Sequence, residues 1–259
     1  MAYVGAVNDA LPEARRRAGF FDGAKAPFQG LWFLLTNPDT WPFAAVPVSI
    51  GLSIFAFFSY LSVRFLPEAV GRAVPAGEAW YSRLGSGVLV VLATVAAVVA
   101  AFFLGMVLAQ PLSGPALERL VRLRERALGL PERPRTSFSM DAWRSLRSAL
   151  LGTLALPALL VLTLVEIFVP GSSVVVLPLK ILITGVFVAW DILDYPLSVR
   201  GLGLRQRLAF IRTHKPVLLG FGLALAVVLL LPCMQLLLLP AAVVGATALV
   251  HRIDDEATG

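Results

Sequence analysis

The chain has 259 residues, of which 58% are hydrophobic and 15% charged, and its formal charge is +6. Soluble domains carry about 25% charged and about 45–50% apolar residues, so these proportions exclude an ordinary water-soluble domain. The single cysteine, Cys233, excludes an intrachain disulfide framework and a cysteine-built zinc site.

Residues 1–39 form an N-terminal segment that the charge pattern assigns to the cytoplasmic side. Met1–Gly19 is largely polar and holds Arg15-Arg16-Arg17, with no apolar core directly behind it, so it does not read as a signal peptide. Phe20–Leu35 reads as an interfacial amphipathic helix, with Phe28, Leu31, Trp32 and Leu35 on one face. The alternative is a loosely ordered tail leading into the first crossing.

Two uncharged runs follow, Thr40–Val63 and Leu84–Leu117, of 24 and 34 residues. A helix of about 20 apolar residues crosses a bilayer core, so each run supplies a full crossing within 40–117, joined by an outside loop at 64–83. This is an integral membrane protein. In the second run Ala93, Ala97, Ala101, Gly105 and Ala109 recur every four residues. Small residues at that spacing let helix backbones approach closely in lipid, within one chain or between copies.

Residues 118–147 are rich in arginine and read as cytoplasmic amphipathic helices. Just before them, Pro111-Leu112-Ser113-Gly114-Pro115 reads as a helix start. Free amides near Ser113 and Gly114, at the positive end of that helix, form a candidate anion site with Glu118 fixing the local structure. Ordinary capping is the competing explanation.

The remaining runs are broken. Residues 148–199 form a first hairpin about Pro170-Gly171, and folding it there brings Glu166 level with Lys180. Charges at membrane depth pair, which predicts an ion pair; a tip in water would leave each solvated. Residues 200–250 hold a basic segment and a second hairpin, followed by a tail at 251–259. The 35-residue run Pro216–Val250 is interrupted by Pro232 and Gln235. Each arm reaches only about 23–24 Å at 1.5 Å per residue. Both a re-entrant hairpin and a pair of short crossings satisfy those lengths.

Lys and Arg number eight in 118–147 and five in 200–215, against three in 64–83. Basic residues concentrate on the cytoplasmic side, which puts both termini inside. The arginines, Arg119, Arg122, Arg124, Arg126, Arg205, Arg207 and Arg212 among them, are then anchors at anionic headgroups. The lipid bilayer is the expected partner, and nucleic acid is not.

Catalytic sets are missing. His214 and His251 form no helical metal pair, and no Gly-rich phosphate loop or G-x-S-x-G elbow occurs. Asp191 and Asp194, three apart on one helical face, could bind a cation or relay protons, or could simply mark the interface. No metal, cofactor or enzymatic activity is expected.

The sequence resembles the CysZ sulfate transporters, which are grouped with the etoposide-induced membrane proteins. The resemblance rests on Pro111, Gly114 and Glu118 (P-x-x-G-x-x-x-E), Pro170-Gly171, and Asp194-Tyr195-Pro196. It continues through Arg212-Thr213, Lys215 and Phe221-Gly222 to Pro232, Pro240 and Gly245-Ala246-Thr247. It implies an all-α membrane fold with two long transmembrane helices, two hemi-penetrating (re-entrant) helical hairpins and amphipathic interfacial helices. It also implies a homo-oligomer in the cytoplasmic (inner) membrane that takes up a small inorganic anion, sulfate. The family motif G-L-x-A-E-x-L-E is only partly kept, with Pro115, Leu117 and Val121 as departures. Trp41 and Pro42 stand where the family has paired arginines. That departure favours the alternative, a membrane scaffold sharing the fold without transport.

Overall fold

A computed structural model describes residues 18–74, 80–131, 155–228 and 234–258. The helices are α1 (Phe20–Thr36), α2 (Trp41–Ala44), α3 (Val46–Ala73), α4 (Trp80–Leu112) and α5 (Gly114–Ala127). They continue as α6 (Ala155–Phe168), α7 (Ser173–Val199), α8 (Leu204–Thr213), α9 (Lys215–Val228) and α10 (Met234–Thr258). A 3₁₀ turn at Pro38–Thr40 joins α1 to α2. No strand occurs among the described residues.

Among the described residues, four helical stretches are long and apolar enough to cross a membrane. They are Pro38–Ala73, Leu84–Leu112, Ser173–Val199 and Met234–Glu256. Helices α8 and α9 meet at a bend of 93°, where His214 and Pro216 interrupt the helical path.

α10 forms the centre. Ala241, Val243, Val244, Ala246 and Val250 are fully buried, as expected for a helix that is apolar on every side. α1, α5 and α7 surround it, and α9 packs between α1 and α7. The other pair, α3 and α4, lies against itself and leaves Leu52, Phe57, Val91 and Val95 exposed, a surface suited to lipid.

Glycine sets the closest approaches. Gly51 on α3 meets Gly105 on α4, where a Cβ on Gly105 would lie 2.7 Å from the Gly51 carbonyl oxygen. Ala101 and Ala109 of the same small-residue stripe are buried, while Ala93 and Ala97 are half-buried. The stripe therefore serves, at its C-terminal half, the contact between α3 and α4.

One expectation changes. Residues 64–83 were expected as loop, but α3 continues to Ala73 and α4 begins at Trp80. The Glu68–Arg72 pair at 2.6 Å supports the extra turns as an i,i+4 pair. On α1, Phe28, Trp32 and Leu35 are exposed and Leu31 is half-buried, while Gly23, Ala26, Pro27, Gly30 and Leu34 pack against the rest of the protein. Small residues win there because α9 and α10 approach to backbone contact. Of the broken runs, α6 is described from Ala155 to Phe168 and α9 from Lys215 to Val228, opposite α7 and α10. Pro240 lies inside α10, whereas Pro232 and most of 118–147 beyond Pro131 lie outside the described residues.

Candidate functional site

The site grows from the joint between α4 and α5. The Ser113 amide donates to the Ala109 carbonyl at 3.0 Å, and the Ser113 hydroxyl donates to the same oxygen at 2.5 Å. Leu117 in turn donates to Ser113, so the helical ladder runs through the joint almost unbroken. Ser113 was expected to offer a free amide. It does not, because α4 supplies the carbonyl that a true helix start would lack. Gly114 differs: a Cβ there would meet nothing within 4 Å, so the side of the joint where a side chain would stand is open.

α5 is amphipathic, burying Leu117, Leu120 and Val121 and ending at Gly129 with φ +74°. Leu130 N–H bonds to the Glu125 carbonyl there, a Schellman cap that fixes where the arginine face stops. On that face Arg124 lies 4.2 Å over the Phe33 ring and Arg119 lies 6.0 Å from the Phe43 ring centroid. Burial lowers the Arg124 pKa from its ordinary value, yet a guanidinium so placed stays charged. These two arginines therefore bring positive charge to the corner formed by α1 and α2. Trp41 and Pro42 occupy that corner with exposed side chains, and Trp41 Nε1 donates to the Leu34 carbonyl at 2.8 Å.

α7 delivers the D-Y-P residues to the same joint. The Tyr195 ring lies beside Gln110 and within electrostatic reach of Glu118, Asp191 and Asp194. Gln110 also donates to Asp191. Thus Glu118 of the P-x-x-G-x-x-x-E motif and Gln110, immediately before it, converge with Asp194-Tyr195-Pro196 although about 80 residues separate them. Asp194 is buried and accepts from the Arg207 guanidinium, while Ser198 donates to its other oxygen at 3.4 Å. Arg207 Nε donates to the Leu202 carbonyl at 2.8 Å, so both partners are held. Pro196 precedes a second Schellman cap, with Gly201 at φ +73° and Leu202 N–H on the Leu197 carbonyl. That cap presents Leu202 to Arg207.

A small recess opens beside Asp191 and Gln110, lined also by Ile192, Leu225, Leu239 and Gln235. Away from it, Lys180 Nζ contacts Glu166 Oε2 at 2.5 Å across the turn at Pro170-Gly171, where Gly171 takes φ +81°. Asp22–Arg252 at 2.9 Å, Ala18 N–H on Glu256 at 2.8 Å, and Arg200 on Asp254 tie α1 and α7 to the end of α10.

The family model described as Sulfate transporter CysZ/Etoposide-induced protein 2.4 matches residues 26–240. The chain belongs to this family. It is 30% identical over 232 residues to the protein named Sulfate transporter CysZ of Pseudomonas paraeruginosa, covering 86% of this chain and 92% of that one. Similar proteins of the same name are those of Pseudomonas aeruginosa, 29% identical over the same shares, and Pseudomonas syringae pv. tomato. The latter is 30% identical over 83% of this chain and 86% of its own length. Within a CysZ-family chain the meeting of two distant motif segments at one joint is the natural candidate for the site.

Gln110, Gln235 and Arg207 were not singled out as site residues in the sequence. One signal was present: Gln110 and Gln235 are each the lone carboxamide in a long uncharged run. A polar group isolated among apolar ones marks a functional position in a membrane helix more often than a structural one.

Proposed function

We propose that the protein is a membrane transporter or channel for a small inorganic anion, with sulfate the first candidate for uptake across the cytoplasmic membrane. The observation that carries this is the near full-length similarity to proteins named Sulfate transporter CysZ. In this reading the two broken runs act as re-entrant hairpins, both termini are cytoplasmic, and the protein works as a homo-oligomer. The anion passes the α4–α5 joint on its open side at Gly114, and Glu118 braces the joint through its neighbours rather than touching the anion. Arg119 supplies positive charge from α5, close to the corner where Trp41 and Pro42 lack it. No nucleotide-binding motif occurs in the sequence, so transport is passive permeation or simple symport.

Purified protein in sulfate-loaded vesicles tests the reading. Sulfate efflux well above that of protein-free vesicles is expected, and efflux equal to theirs would overturn it. The exposed Trp41 and Pro42 favour one second reading, a scaffold that keeps the fold without transport. Stable co-purifying proteins together with absent flux would establish it.

A further inference from the structure

α5 carries six charged side chains, and four of them are answered within the protein. Glu125 faces Arg200 at 3.9 Å, and Glu118, Arg122 and Arg126 each have contacts of their own. Arg124 and Arg119 are left. Arg124 is half-buried, with its guanidinium 4.2 Å from the centre of the Phe33 ring. None of its N–H groups meets an acceptor among the described residues, the buried Nε included. Arg119, at the Phe43 ring, likewise forms no ion pair among them. Donors taken out of water without an acceptor are costly, so a partner for Arg124 is missing.

The surroundings say what kind of partner fits. The Phe33 ring takes one side of the guanidinium, and the N–H groups that remain suit the oxygens of a phosphate, which a planar fork holds two at a time. Asp39, exposed in the 3₁₀ turn, pairs with neither arginine among the described residues. Two guanidinium groups and one carboxylate leave a single positive charge at this corner of α1, α2 and α5, the complement of one phosphodiester. Beside it runs an apolar stripe: Phe21, Phe28, Trp32 and Leu35 lie along one side of α1, each more than half exposed. Gly23, Ala26 and Gly30 pack the other side of α1 against α9 and α10. A contiguous apolar strip rimmed by arginine calls for hydrocarbon on the strip and an anion at its rim.

We propose that Arg124, stacked on Phe33, holds the phosphate of an anionic phospholipid whose acyl chains lie along the Phe28–Trp32–Leu35 stripe of α1. Arg119 adds positive charge without being a ligand and stays with the anion route at Gly114. The lipid clamps α1 to α5 from outside, so the stability of the protein depends on the charge of the membrane around it. The site does not rest on the transport reading, and its occupancy is measured without sulfate.

The experiment titrates purified full-length protein in a neutral detergent with phosphatidylglycerol, phosphatidylcholine or inorganic phosphate and follows the thermal midpoint. The variants are Arg124→Gln and, as a control of equal charge change, Arg64→Gln, at an exposed arginine on α3. Phosphatidylglycerol is expected to raise the midpoint of the wild type and of Arg64→Gln at least about 3 °C more than phosphatidylcholine does. Arg124→Gln is expected to lose at least half of that excess. Equal shifts with the two lipids, an excess that falls by less than half in Arg124→Gln, or an equal loss in Arg64→Gln overturns the proposal. A shift as large from inorganic phosphate would make the occupant a free anion and overturns it too. Should Arg124→Gln fail to fold, Arg124→Lys decides, since it keeps the charge and loses the fork: a smaller excess than in the wild type supports the site, and an equal one overturns it.

Discussion

Gly30 on α1 and Gly245 on α10 pack backbone to backbone. A Cβ on Gly30 would stand 1.9 Å from the Ala241 carbonyl oxygen, and one on Gly245 would stand 2.1 Å from that of Ala26. Backbone cannot yield as the tip of a side chain can, so even one methyl group must push the helices apart. Gly30→Ala is expected to cost at least the about 1–3 kcal/mol typical of overpacking. That corresponds to a fall of several degrees in thermal midpoint, at about 2–4 °C per kcal/mol. Gly71→Ala, where a Cβ meets nothing within 4 Å, serves as the control and should not lower the midpoint. An equal fall in both variants would show that the contact between α1 and α10 does not limit stability.

The Asp194–Arg207 pair makes a different demand. Both side chains are buried, and Arg207 also holds the Leu202 carbonyl beyond the end of α7. Removing one partner leaves an uncompensated buried charge, so Arg207→Ala should cost about 3–5 kcal/mol. Arg207→Met with Asp194→Leu should recover much of it, since two apolar side chains of similar volume leave no charge behind. Denaturation of the single and double variants in detergent measures the difference. A double variant as unstable as the worse single one would mean that the pair holds α8 by geometry, not by charge.

These two sites show what could be seen in the residue order. The runs around residues 50 and 100 were visible because hydrophobicity extends over the length of a bilayer, and α3 and α4 follow. Lys180 and Glu166 could be matched by counting from Pro170-Gly171, since a tight turn fixes depth on both arms. The Gly30–Gly245 contact could not be, because no local pattern says which distant helix meets a glycine. The same holds for Gln110 with Asp191, which the packing of α5 and α10 against α7 brings together. Ser113 shows the opposite failure. Its Ser-Gly-Pro surroundings look like a helix start, yet the preceding helix runs on and its carbonyl at Ala109 satisfies the amide.

Glu166 and Lys180 give a third prediction. Their side chains are 32% and 21% exposed, so neither water nor protein fully surrounds the pair. A double-mutant cycle with Glu166→Gln and Lys180→Gln should return a coupling of about 0.5–1 kcal/mol. The charge-reversed double variant, Glu166→Lys with Lys180→Glu, should be more stable than either single reversal. Coupling that vanishes in high salt would identify an aqueous tip; coupling that survives would identify one shielded from water.

The last prediction concerns the missing cations. The side chains of Trp41 and Pro42 are exposed, and Arg119 already lies at Phe43, one residue further on. Arginines placed at 41 and 42 would need no core rearrangement, losing only the Trp41 hydrogen bond to Leu34. A charge-assisted hydrogen bond is worth about 1.5–3 kcal/mol, and partial exposure at this corner reduces that return. Sulfate flux in vesicles is therefore expected to rise about 3–10-fold in Trp41→Arg/Pro42→Arg, while Arg119→Ala lowers it by a similar factor. The two results are linked. If the added arginines raise flux but Arg119→Ala leaves it unchanged, the corner can serve an anion that the natural protein does not bring there.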